Sequence, residues 1–487
     1  MKLGLIPLDE RPACARYPQM IGDIAGLKLL APPAAALSRM REPGNCLAIA
    51  GWLRENASEL DALIVSIDML VYGGLTASRI TDDATVALLS RLDILRELKR
   101  GHPRLRIYGF NLITRISGNP DSVAEPEYWS ESGPQIYQYS QAYDARRWGA
   151  GPAPQREQLQ ESHLLDVLRR RLRNHIVNLA VLDLLAENVF DLLVISSDDT
   201  SEYGFGTREK VWIQEWVDRR GGDESLLVYP GADEVACALL ARAFVDILEQ
   251  APRFFTHYAI EADKDRTAPF EDGPVCLTLQ RQIRAVGGIQ VDDIAEADMI
   301  VAVNPPAPSA RSFFQPEQAE SDRRYRQGAL IDLAEQIGRW INEGRRVIVC
   351  DLAYPNGSDP VLIEALQQKI RLRDLAAYGG WNTAGNTIGV ALAQGIAQLR
   401  DFNQEEALRF LTHRFAEDFC FMHQLRPTMN ADMPRYDDTT EAAMIELVSC
   451  GLNDRIRHLS GLGAWRVSNV RLPMKRRFEI DFDLERL

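Results

Sequence analysis

Asp191-Leu192-Leu193-Val194-Ile195-Ser196-Ser197-Asp198-Asp199-Thr200 is a short, uninterrupted apolar run that ends abruptly in small and acidic residues. A run of this length, rich in β-branched side chains and closed by turn formers, predicts a strand buried on both faces, as in a parallel sheet. The same pattern recurs along the chain. Strands are expected at Lys2–Pro7, Ala62–Ile67, Arg106–Phe110, Leu192–Ser196, Leu226–Tyr229, Met299–Val303 and Val347–Cys350. Longer amphipathic stretches alternate with them, and helices are expected over 46–59, 84–100, 155–189, 232–250, 322–344 and 386–399. In the longest, Leu164, Leu165, Leu168, Leu172, Ile176, Leu179 and Leu182 repeat at helical spacing. Strand–helix alternation is the signature of βαβ units, so the fold class is α/β, with two Rossmann-like parallel-sheet halves.

The expected divisions are an N-terminal α/β domain over 1–250, a bridge over 251–274 that contains one β-like run, Phe254–Ile260, and a second α/β domain over 275–400. A C-terminal extension of helical and β character covers 401–487 and closes on the alternating run Phe478–Leu484. The two halves match each other only loosely, as in Asp61–Gly74 against Asp191–Gly204, and no short-period repeat is present.

Composition narrows the function. The 487 residues carry 55 Lys+Arg against 69 Asp+Glu, a formal charge of −14, so no net positive field is available to hold nucleic acid or an anionic membrane. The apolar N-terminal run is too short for a signal-peptide core, and no stretch approaches the roughly 18 apolar residues of a transmembrane helix. Seven dispersed cysteines, odd in number and never spaced Cys-x-x-Cys, read as reduced thiols in a cytoplasmic protein.

In open α/β sheets ligands bind beyond the carboxyl ends of the strands. The residues that follow each expected strand are therefore the candidates. They include Asp9 and Arg11 after the first strand, Asp68 and later Arg79 after the second, and Asn111 and Arg115 after the third. Ser197-Asp198-Asp199-Thr200 and Gly231-Ala232-Asp233-Glu234 follow the next two, and Asp351 follows Val347–Cys350. Any one such residue is as readily a turn or helix cap, as Asp233 illustrates, and Asp9 or Asp68 is as readily the ion-pair partner of Arg11 or Arg79. Asp198 and Asp199 are harder to set aside. Adjacent carboxylates at the end of a buried strand repel unless a cation, a proton or a ligand hydroxyl separates them.

Tyr378-Gly379-Gly380-Trp381-Asn382-Thr383-Ala384-Gly385-Asn386-Thr387 combines glycines, two amides and an indole face, although Asn386 serves equally as a helix cap. Neither Gly-x-Gly-x-x-Gly nor a Walker sequence occurs, which disfavours dinucleotide and P-loop sites. The seven histidines lie outside these motifs. His175 is the one to watch among them, with an ordinary helix-surface role as its simpler reading. The aromatic stretch 126–148 (Tyr128, Trp129, Tyr137, Tyr139, Tyr143, Trp148) is expected as a lid or binding loop, or as a local mini-core or dimer contact.

Several of these motifs together resemble a known family. They are Ile6-Pro7-Leu8-Asp9-Glu10-Arg11-Pro12, Ser66 to Leu75, Asp198-Asp199-Thr200, Gly231-Ala232-Asp233-Glu234 and Tyr378 to Thr387. The family is the bacterial domain-of-unknown-function family numbered forty-one twenty-seven. The resemblance spans nearly the whole chain and implies a bacterial protein, without a reaction.

The site itself points to a hydrolase acting on a small polyhydroxylated substrate, a glycoside above all. In that reading Asp199 and Glu234 form the carboxylate pair and Asp198 orients. Asp9, Arg11, Asp68, Asn111, Arg115, Asp351, Trp381, Asn382 and Asn386 bind substrate. No cofactor and no metal ligand are required. Two alternatives stand beside it: a Mg²⁺- or Mn²⁺-dependent enzyme using Asp9, Asp68, Asp198, Asp199 and Asp351, and a non-catalytic sugar-binding protein. The expected partner is a small molecule, with homo-oligomerisation open.

Overall fold

The computed structural model describes residues 1–221, 224–310, 316–433, 436–437 and 439–487, with the backbone alone at 316–319 and 432. The chain forms two compact units. The first comprises Met1–Glu10 with Leu27–Ala236, and the second comprises Arg11–Gly26 with Cys237–Leu487.

The first unit is built on a six-stranded sheet of β1 (Lys2–Ile6), β2 (Lys28–Leu30), β3 (Ala62–Ser66), β4 (Arg106–Ile113), β5 (Leu192–Ser197) and β6 (Leu226–Pro230). Their order is β2-β1-β3-β4-β5-β6, and every pairing is parallel. β3 and β5 are buried along their whole length, which is why their sequences read as continuous apolar runs. Ile64, Val65, Leu193 and Ile195 are fully enclosed in the core. At Gly109 in β4 a Cβ would lie 2.4 Å from the Phe190 ring, so the close approach requires glycine.

The second unit contains β7 (Arg253–Tyr258), β8 (Ile289–Val291), β9 (Met299–Asn304), β10 (Val347–Asp351) and β11 (Ala377–Gly379). Their order is β11-β10-β9-β7-β8, again all parallel. Read from the other edge, this is the same doubly wound order, second-first-third-fourth-fifth, as β2-β1-β3-β4-β5. An antiparallel hairpin, β12 (Trp465–Arg471) with β13 (Asp481–Arg486), ends the chain.

All seven expected strands are present, and two α/β halves carry them. Several details differ from the sequence reading. The stretch 251–274 holds β7, an internal strand of the second sheet. Residues 126–148 are mostly the helix Trp129–Arg147 and not a loop. Its buried positions are occupied by Ser132, Gly133, Ser140 and Asp144 as well as Trp129 and Ile136, so small and polar residues mask the helical period. The expected helix over 84–100 breaks at Leu92 into Thr85–Arg91 and Asp93–Gly101. The helix Pro12–Ile24, which follows β1 in the chain, packs on the helices Ala384–Ile396 and Gln404–Phe415 of the second unit. No helix among the described residues is long and apolar enough to cross a membrane.

Candidate functional site

In the first unit, the three connections beyond β3, β4 and β5 bring charged side chains together. After β3, the Ser66 hydroxyl caps the short helix Ile67–Tyr72 by accepting from Met69 N–H at 3.2 Å. Gly73, at φ 87°, stops that helix in the left-handed region. The next helix, Leu75–Ile80, carries Arg79. Arg115 follows β4 and Glu125 lies further along the same connection. Asp198 and Asp199 follow β5, and Asp198 N–H donates to Ile113 O at 3.1 Å, joining two strand ends.

These groups form an alternating ladder. Asp198 pairs with Arg79, whose other nitrogen lies 3.2 Å from Glu125. Glu125 also accepts from Arg115 Nε at 3.1 Å, and Arg115 Nη1 donates to Asp199 at 2.7 Å. Three carboxylates face two guanidiniums, so one negative charge is in excess. The ladder is graded in depth: the Glu125 and Arg79 side chains are 4 % and 5 % exposed, whereas Arg115 and Asp199 reach 26 % and 27 %.

Asp68 lies behind the ladder. It is fully buried and accepts from Leu112 N–H at 3.0 Å, and burial pushes its carboxyl up to about 7. Burial and the neighbouring Asp198 likewise raise Asp199, with Arg115 pulling the other way. Asp199 also adopts φ 38°, a left-handed backbone found more often at functional sites than elsewhere.

Asp198, Asp199 and Arg115 line a pocket that is open to solvent, together with Ser197, Gln141 and Phe205. One wall is the helix Trp129–Arg147. Its Ser140 hydroxyl accepts from Phe205 N–H at 2.8 Å, and Asp144 accepts from Gly204 N–H at 3.0 Å. Tyr139 and Tyr143 meet Phe205 edge-on, with centroids 6.1 and 5.9 Å apart. Arg171 secures the floor, holding Glu209 through two hydrogen bonds of 2.8 and 2.7 Å while donating to Thr114 O at 2.9 Å.

Other expected residues of this unit are placed differently. Glu234 is wholly buried, accepts from Ala232 N–H at 2.9 Å and is not among the pocket's lining residues. Its carboxylate folds over Gly231 so closely that a Cβ there would lie 2.0 Å from Oε1. Asn111 is buried and donates to Asn178 on the helix Glu161–Ala186, and Asp9 is buried just after β1. His175 sits edge-on to Trp212 at 5.5 Å, away from the pocket lining. Arg79 pairs with Asp198 and Glu125.

The second unit holds a different polar network at the ends of β9, β10 and β11. Asn304 donates to Asp351 at 2.8 Å and to Asp359 at 3.2 Å, and Arg326 pairs with Asp359 at 3.0 Å. Asp359 N–H and the Tyr378 hydroxyl donate to Asp351 at 2.7 and 3.1 Å, and the Tyr378 oxygen lies 2.6 Å from Ser358 Oγ. Gly380 N–H donates to Asp418 at 2.8 Å. Asp418 and Glu417 lie on a π-helical segment, Ala416–Leu425, where Arg414 engages both and Tyr17 donates to Glu417. Burial pushes Asp351 up to about 7, Asp418 to about 6 and Glu417 to about 8.

The glycine-rich stretch after β11 is largely structural here. Trp381 is 3 % exposed, and its carbonyl accepts from Thr387 Oγ1 at 2.7 Å. Asn382, at φ 63°, accepts from Asn356 N–H at 3.1 Å. The cap of the helix Ala384–Ile396 is Thr383, and Asn386 lies inside that helix. Arg11, also in this unit, is buried with Nη2 3.7 Å from Cys14 Sγ.

Among the described residues no group of three or more His, Cys, Asp or Glu side chains is arranged to hold a metal ion. Within the ladder the reason is visible, since each carboxylate already faces a guanidinium. Glu125, Glu417 and Asp418 were absent from the sequence candidates. Glu125 lies in mid-connection and the other two within a helix, and neither place carries the strand-end signal. No curated protein and no solved structure matches the chain. A family model described as "Protein of unknown function (DUF4127)" matches residues 3–483, and the chain belongs to that family.

Proposed function

We propose that this protein is a hydrolase acting on a small polyhydroxylated substrate, a glycoside, in the pocket of its first unit. The observation that carries the reading is the opening of Asp198 and Asp199 into a pocket with an aromatic wall at Phe205. Glycoside hydrolysis passes through an oxocarbenium-like transition state that is positively charged. Once Asp199 has passed its proton to the leaving group, the ladder carries one excess negative charge and favours that state over the neutral substrate. Asp199 is the proton-transfer group, because its raised carboxyl retains a proton closer to neutral pH than an ordinary aspartate does. Asp198, anchored by Arg79, faces the developing charge. Glu234, turned onto its own backbone, has no part in the step. Phe205 supplies an apolar surface for a sugar ring.

A cytoplasmic, bacterial setting belongs to the same proposal, and seven cysteines that all stand as free thiols support the cytoplasm. The test is a thermal-shift screen of monosaccharides followed by turnover of chromogenic glycosides. Asp199→Asn should lose about 10²- to 10⁴-fold in turnover while keeping its ligand-induced shift. Normal turnover in that variant removes the assignment. Binding without turnover in the wild type returns the molecule to the sugar-binding alternative.

A further inference from the structure

We infer that the ligand of the first-unit pocket carries a protonated amine beside its hydroxyl groups, which within the hydrolase reading above makes the substrate an amino sugar. The inference starts from which polar atoms of the pocket are already used. Gln141 Nε2 donates to Ser201 Oγ at 3.0 Å, Ser201 Oγ donates to Tyr203 O at 2.7 Å, and Thr207 Oγ1 donates to Ser201 O at 2.7 Å. Ser140 is taken by Phe205 N–H. These groups hold the wall together.

Three acceptor atoms are left over. Asp198 and Asp199 each give Oδ2 to an arginine, and among the described residues their Oδ1 atoms meet no donor. Ser197, 2 % exposed and part of the pocket lining, has a hydroxyl with no hydrogen-bond partner. A buried hydroxyl left in that state costs stability unless something from outside satisfies it.

The leftover atoms share one property, since each accepts hydrogen bonds. An ammonium group offers three N–H donors and no acceptor, which matches two carboxylate oxygens and one hydroxyl. It also brings the one positive charge that the ladder lacks, with three carboxylates against two guanidiniums. A neutral sugar satisfies the hydrogen bonds but leaves that charge uncompensated in a partly buried site. Among the described residues a divalent cation would find two carboxylates and no third acidic, histidine or cysteine ligand.

The experiment is calorimetric titration of the full chain at neutral pH with glucosamine, glucose, N-acetylglucosamine and Mg²⁺. Glucosamine is expected to bind about tenfold or more tightly than glucose, because a hydrogen bond between charged groups is roughly twice as strong as a neutral one. N-acetylglucosamine, whose nitrogen is uncharged, should fall with glucose. The preference should shrink as salt is raised. Asp198→Asn should erase the preference while glucose binding persists, and Ser197→Ala should weaken glucosamine severalfold. The wild-type comparison stands even if a variant fails to fold. Equal affinity for the three sugars overturns the amine and leaves the glycoside reading intact. Tight Mg²⁺ binding that glucosamine cannot displace overturns it in favour of a cation site. If no sugar binds, both this inference and the reading on which it rests fall.

Discussion

The polar clusters of the two units use the same chemistry, carboxylates paired with arginines at the ends of parallel strands, and arrive at different states. In the first unit the ladder is graded from a buried Glu125 to an Asp199 that is 27 % exposed, with carboxylate oxygens open to a pocket. In the second unit Asn304, Arg326, Asp351, Asp359, Tyr378, Arg414, Glu417 and Asp418 are all enclosed, none more than 2 % exposed, and apart from Arg326 Nε their bonds run to one another and to neighbouring protein groups. Buried carboxyls that are solvated only by protein shift toward the protonated form, as Asp351 and Glu417 do. Those kept at a pocket edge beside an arginine retain oxygens that a ligand can reach. An ionisable cluster is therefore a candidate site when its acceptors are left open, and a structural device when they are closed.

That contrast can be broken. Arg414→Met leaves Asp418 and Glu417 without their cation in a closed environment. It should destabilise the second unit by about 3–5 kcal/mol, read from urea unfolding. A loss below about 1 kcal/mol would show that the network is more open to water than its burial implies.

Arg115→Met tests the open cluster. Removing the guanidinium should raise the Asp199 carboxyl further and move the corresponding limb of the pH–rate profile upward by about one pH unit or more, with only a modest loss of stability. An unmoved limb would detach Asp199 from the rate.

Gly204 connects the pocket wall to its floor at φ 142°, and a Cβ there would lie 2.9 Å from Gln141 Nε2. Gly204→Ala should cost about 1–3 kcal/mol and weaken ligand binding, because the added methyl strains the backbone and pushes Gln141. Wild-type melting and affinity would show that this turn is not fixed.

The smallest expected effect is one of pH. Asp418, Asp351 and Glu417 rise to about 6, 7 and 8, above the ordinary carboxylate range near 4. Raised folded-state values mean that the folded form binds more protons. The stabilisation is complete below about pH 4 and is lost as the pH climbs through these values. Hydrogen exchange in β10 should therefore accelerate between about pH 6 and 8. β4, whose Leu112 N–H donates to Asp68 and which lies near an Asp199 that is raised but partly open to solvent, should change less. Equal acceleration in both strands would erase the distinction between the closed and open clusters.

Much of the fold was legible because the buried parallel strands have almost no freedom in composition. A strand enclosed on both faces must be apolar throughout, so β3, β5 and β10 announce themselves. Short edge strands such as β2 and β8, three residues each, carry too few side chains to signal. The helix Trp129–Arg147 escaped notice because its buried face includes serine, glycine and aspartate, which follow no hydrophobic period.

Within the candidate site, Asp198, Asp199 and Arg115 follow from the rule that strand ends face ligands, a consequence of local chain direction that a sequence records. Glu125 as the link between two arginines, Glu234 turned back on its own loop, and the division into open and closed clusters do not follow from it. The sequence by itself determined the strand–helix alternation, the acidic charge and the positions of the strand-end carboxylates. Only the tertiary structure decided which carboxylate meets which guanidinium and which oxygens stay open. Within the ladder those contacts join side chains 10, 46, 84 and 119 residues apart in the chain, and no local pattern encodes the enclosure around them.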